Sequence, residues 1–99
     1  MDRMGNERRI GIFLVDDHEV VRRGLTDLFE STGDLEVVGE AGTLNTALSA
    51  IGALSFDVAV LDVRLPDGSG IELCREIRSA RPEVRCLMLS SFADDEALV

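Results

Sequence analysis

Tryptophan and tyrosine are missing from the chain altogether, and cysteine, proline and histidine are scarce: two, two and one in 99 residues. The first absence removes the usual fluorescent report of ligand binding. Cys74 and Cys86 sit inside apolar patterns without CxxC spacing or accompanying histidines. That argues against a disulfide framework or a zinc site and for buried free thiols. Basic residues are also short, 10 against 19 acidic, and the net charge of −9 argues against direct contact with nucleic acid or an anionic membrane. Long hydrophobic runs are lacking too. The apolar stretch after the charged start MDRMGNERR is shorter than the roughly 7 to 15 residues of a signal core and the ~20 of a membrane span. A cytoplasmic protein without a membrane partner is expected, and the length allows one small domain. There is no GxxxxGK[ST] loop, which removes a nucleotide-hydrolysing reading.

What is present alternates in period. IGIFLV (10–15) is a near-continuous apolar run ending in two aspartates, as suits a strand buried on both faces. Val20, Val21, Gly24, Leu25, Leu28 and Phe29 then recur at helical spacing, with Gly33 as a stop. EVVGEA (36–41) reads as a second strand, and Thr43 as the N-cap of a helix carrying Leu44, Ala47, Leu48, Ile51 and Leu54. DVAVL (57–61) is a third strand ending at Asp62. The loop VRLPDGSG follows, then a helix marked by Ile71, Cys74 and Ile77, and a fourth strand over 84–89. The run DDEALV has the acidic first turn of a further helix. Strands alternating with helices predict an α/β fold, a doubly wound parallel sheet with helices on both faces and no internal repeat.

In such a sheet functional groups gather beyond the carboxyl ends of the strands. Asp16 and Asp17 end the first strand, Asp62 the third, and Ser90 and Ser91 the fourth, so adjacency of strands one and three would put three carboxylates in one pocket. Like charges there oppose one another's ionisation, and a divalent cation removes the conflict. Hard oxygen ligands without a thiolate or imidazole favour Mg2+ or Mn2+. Such a metal commonly receives phosphoryl oxygens. Asp62, alone before an irregular loop, is then the better candidate for a carboxylate nucleophile.

The runs FLVDDHEVVRRGL, DVAVLDVRLPDGSGIELCREIR and CLMLSS resemble the receiver domain of bacterial two-component response regulators, in the NarL/FixJ branch. The resemblance covers residues 10–99 and leaves 1–9 as an expected flexible segment. It implies a flavodoxin-like receiver fold, truncated here after the fourth strand in the order 2-1-3-4. It further implies a phosphoacceptor signalling domain in place of an enzyme. A sensor histidine kinase would phosphorylate Asp62, with Mg2+ bound directly by Asp17 and Asp62, through water by Asp16, and by the backbone carbonyl of Arg64. Ser90 matches the hydroxyl that follows the phosphoryl group and switches the distal face, and Ser91 the small residue beside it. Pro66 shapes the phosphoacceptor loop and Gly70 turns into the third helix. The output implied is control of homodimerisation and of DNA binding by a C-terminal helix-turn-helix domain that the 99 residues do not contain. The family's phosphoryl-pairing lysine at the end of a fifth strand has no match either, which predicts poor phosphorylation.

Other readings are plainer. Asp16 and Asp17 alone could be solvated acids capping the first helix; Asp62 in its DVRLPDGSG context tells against that. Asp67 and Gly68 read as turn chemistry, His18 as a surface residue at a helix start, and Arg22 and Arg23 as a solvated helix face. An aspartate-based phosphatase would need a second Asp where Arg64 stands. A phosphorylation-independent dimerisation module is the alternative function. In either case the fourth strand is expected to be an exposed edge through which copies associate with two-fold symmetry.

Overall fold

The computed structural model describes residues 8–89, so Ser90, Ser91 and the expected helix in DDEALV lie outside the described residues. Five of the six residues of β1 (Ile10–Val15) are buried, because the strand runs between two neighbours and under helices on both sides. It is followed by α1 (Glu19–Glu30), β2 (Leu35–Ala41), α2 (Leu44–Ala50) and β3 (Val58–Asp62). A two-stranded hairpin, β4 (Arg64–Leu65) with β5 (Gly68–Ser69), leads into α3 (Gly70–Ala80), and β6 (Arg85–Leu89) completes the described chain. The main sheet is parallel in the order β2-β1-β3-β6. This is the expected flavodoxin-like order, β6 being its fourth strand.

Period-two alternation sorts the strand residues between the layers. Phe13 and Val15 of β1 and Ala59 and Leu61 of β3 join Leu44, Ala47, Leu73 and Ile77 in a large cluster under α2 and α3. Ile12, Leu14 and Val60 face the other way, toward Leu25 and Phe29 of α1.

Two local expectations need correction. The third helix buries Gly70, Leu73 and Ile77, while Ile71 is half exposed. Positions i, i+3 and i+7 follow the 3.6-residue period more closely than the i, i+3, i+6 spacing of Ile71, Cys74 and Ile77, which drifts round the helix. The loop after Asp62 is partly regular: Leu65 pairs with Gly68 across Pro66 and Asp67, and Leu65 is buried in the main cluster. Of the apolar stripe on α1, no residue is fully buried. The stop is where it was expected, with Gly33 just past the helix at φ +84°.

Candidate functional site

Asp16 leaves β1 with its backbone tied on both sides. Its N–H donates to the Ala41 carbonyl of β2 at 3.0 Å, and its carbonyl accepts from the Arg22 guanidinium. Arg22 also holds Glu40 at 3.1 Å. It is therefore a strut between α1, β2 and the acidic turn, where the sequence suggested a solvated side chain. Arg23, paired with Glu19 at 3.1 Å on an exposed helix face, is solvated as expected.

Asp62 ends β3 and is only 2% exposed. One carboxylate oxygen, Oδ1, accepts from the Arg64 N–H at 3.3 Å. The chain beyond is pinned by Val63 N–H to the Leu89 carbonyl at 3.0 Å and by Gly70 N–H to the Val63 carbonyl at 2.8 Å. A Cβ on Gly70 would sit 2.0 Å from the Asp62 carbonyl oxygen, so the start of α3 can approach the site this closely only with glycine there.

Parallel pairing of β1 with β3 in register, Val15 beside Leu61, brings the two acidic strand ends together. One ligand atom from each of Asp16, Asp17, His18 and Asp62 lies within 4.8 Å of the others. Asp16 is 4% exposed, whereas Asp17 and His18 face solvent. Two unit charges about 4 Å apart at an effective dielectric of ~20 interact by about 4 kcal/mol, so the carboxylates repel substantially unless something positive lies among them.

His18 is the residue sequence reasoning passed over. Its N–H donates to Asp16 Oδ1 at 2.8 Å, and its Nδ1 lies 2.8 Å from the same oxygen, 3.1 Å from Asp17 Oδ1 and 4.0 Å from Asp62 Oδ2. The hydrogen bond to Asp16, then the charges of Asp17, Asp16 and Asp62, raise its pKa above the ordinary 6.5 against a small opposing effect of burial. The signal was present, since an Asp that ends a strand commonly bonds the backbone N–H two residues on and so turns that residue back over itself.

Asp67 does more than shape a turn. Its carboxylate accepts from the N–H groups of Leu44 at 2.6 Å and Asn45 at 2.9 Å, joining the loop after Asp62 to the N-terminus of α2. Those two bonds lower its pKa.

A family model, the response regulator receiver domain, matches residues 12–99. The chain belongs to that family. The receiver domain is 58% identical over 90 residues to the DNA-binding transcriptional activator DevR/DosR of Mycobacterium tuberculosis, covering 91% of this chain and 42% of the relative. It is 34% identical over 87 residues to the response regulator protein VraR of Staphylococcus aureus, covering 88% and 42%. Among solved structures, a LuxR-family two-component response regulator from Aurantimonas superposes with a TM-score of 0.77 at 35% identity, covering 84% of this chain and 59% of that one. The chain thus spans less than half the length of the curated relatives it matches. Receiver domains of the NarL/FixJ type are signalling domains of two-component systems, not catalytic ones, and hold Mg2+ in an acidic pocket. The oxygen donors of Asp16, Asp17 and Asp62, two of these residues buried, fit a small hard cation of that kind.

Among the described residues no helix is long and apolar enough to cross a membrane.

Proposed function

We propose that the receiver domain accepts a phosphoryl group on Asp62 from a sensor histidine kinase and uses the modified state to control homodimerisation. DNA binding would then be controlled through a portion of the protein like that of DevR/DosR. The observation that carries this reading is the buried Asp62 carboxylate within 4.8 Å of two further aspartates on the neighbouring strand end. In the transfer, an Asp62 carboxylate oxygen bonds to phosphorus as the phosphorus–nitrogen bond of a phosphohistidine breaks, and the departing imidazole takes up a proton.

Mg2+ would be held by Asp16, Asp17, Asp62 and the Arg64 carbonyl, and when bound it neutralises charge on the transferring group. Asp16 and Asp17 supply the acidic wall, and the Arg64 N–H holds Asp62 Oδ1 in place. We assign Ser90 and Ser91, beyond the described residues, to contact with the phosphoryl group, Ser90 also acting as the switch.

The phosphorylation-independent interaction module is kept as the second reading because one observation favours it. Leu87 and Met88 of β6 are 56% and 37% exposed, and among the described residues β6 pairs with β3 alone.

The test incubates the chain with Mg2+ and a small acyl-phosphate donor and records intact mass beside Asp62→Asn. Gain of one phosphoryl group by the chain and none by the variant is the expected result. Labelling of neither, repeated on a version extended through a fifth strand, would transfer the assignment to the interaction module.

A further inference from the structure

His18 stands where β1 hands over to α1, and its backbone is fixed on both sides. Its N–H donates to Asp16 Oδ1 at 2.8 Å, and its carbonyl accepts from the Arg22 N–H at 3.0 Å in the first turn of α1. The ring lies back over the acidic turn. Nδ1 is 2.8 Å from Asp16 Oδ1, 3.1 Å from Asp17 Oδ1 and 4.0 Å from Asp62 Oδ2, while 53% of the side chain remains open to solvent. A cation arriving from solvent thus meets the imidazole and the carboxylates together.

Those separations have the dimensions of a coordination shell. Around a small divalent ion with bonds of about 2.1 Å, adjacent donors of an octahedron stand about 3.0 Å apart and opposite ones about 4.2 Å. His18 Nδ1 is therefore at adjacent-donor distance from Asp16 and Asp17 and near opposite-donor distance from Asp62. The donor set read from the sequence held oxygen alone; the fold adds a nitrogen to it. Mg2+ prefers oxygen and keeps its waters, whereas imidazole suits the later first-row metals.

We propose that His18 is a selective ligand of the acidic pocket, entering the shell of nitrogen-seeking divalent metals such as Co2+ or Ni2+ and staying outside that of Mg2+. The pocket then holds two classes of cation in two donor sets: its oxygens alone for Mg2+, and the same oxygens joined by His18 Nδ1 for a transition metal. The ring has only to exchange its contact with Asp16 Oδ1 for one with the metal, because the bond from the His18 backbone N–H to that carboxylate keeps the two residues in place. The inference rests on the reading of the pocket as a cation site and is independent of phosphorylation.

The test titrates the metal-free native chain, without an added histidine tag, with Mg2+ and with Co2+ by calorimetry, beside His18→Ala and Asp62→Asn. His18→Ala is expected to weaken Co2+ binding about tenfold or more and to leave Mg2+ binding within about twofold. Because His18 is the only histidine in the chain, a strongly shifted ring N–H proton in the NMR spectrum of the Co2+ complex reports its ligation directly. Equal loss of both metals in His18→Ala would make the residue a structural support, and a gain for both would make the ring an obstruction. Either result overturns the proposal, as does a Co2+ complex without the shifted proton. Asp62→Asn is expected to weaken both metals. If neither metal binds the native chain, or if both bind Asp62→Asn unchanged, the cation-site reading itself falls, and the proposal with it.

Discussion

Helices α1 and α2 invert the usual relation between length and anchoring. The twelve residues of α1 form a strongly amphipathic helix, yet none is buried and its N-cap, His18, makes no side-chain capping bond. The seven residues of α2 are too few to persist alone, but Thr43 caps the helix through the Thr46 N–H and Leu44 and Ala47 are buried. Asp67 adds two more N-terminal bonds from another part of the chain. A short helix is thus held by its surroundings, while a long one with a clear apolar stripe buries no residue fully and packs on the sheet through the partly buried Leu25 and Phe29. Periodicity identifies the side of a helix that can be buried; the neighbouring layer decides whether it is.

The largest separation between the two should come from Leu44→Ala, which opens a cavity in the main cluster and is expected to cost about 2–5 kcal/mol in urea unfolding. A loss as small as that of an exposed leucine would erase the contrast. A smaller effect is expected from Asp67→Asn, and it should depend on pH. The folded pKa of Asp67 lies below its ordinary 3.8, so its contribution is present above that value and fades as pH falls through the folded pKa. Wild type should therefore unfold at higher urea than the variant near neutrality, and the two midpoints should converge in acid. A gap that stays constant with pH would remove the charge of Asp67 from the account. On α1, Gly24 stands in mid-helix with open space where a Cβ would go. Gly24→Ala should raise stability by about 0.5–1 kcal/mol, and a loss would mean that α1 is more closely packed than its exposure indicates. Least of all, Leu28→Ala, at a site 61% exposed, should move stability by no more than about 0.5 kcal/mol.

Much of the site could be read from the chain because strand ends leave strong marks. Apolar runs terminating in Asp16, Asp17 and Asp62 named both the strands and the acids beyond them, and β1–β3 adjacency then brought these together. Arg22 was misread, and His18 and Asp67, correctly read as a surface residue at a helix start and a turn residue, were read incompletely, for a common reason. Each acts on a group elsewhere in space: a carboxylate cluster completed by Asp62, the backbone of Asp16, and the first turn of α2. A polar residue near a helix start or in a turn looks solvated in one dimension, whatever its fold places opposite it. The misassigned face of α3 has a different origin. Apolar residues at 71, 73, 74 and 77 span more of the helix than one contact can cover, and packing on the sheet chose Leu73 and Ile77.

By itself the sequence determined the alternation of strands and helices, their parallel layering, the receiver family and the three aspartates beyond the strand ends. These depend on local period and on residue type at strand termini. Tertiary structure alone decided that His18 lies among the carboxylates, that Asp67 caps α2, and that α1 keeps its apolar stripe largely exposed. Those depend on distances between residues remote in the chain or on how closely two layers approach. Hydrophobic pattern constrains such quantities only to a face; side-chain reach and the register of neighbouring elements set them.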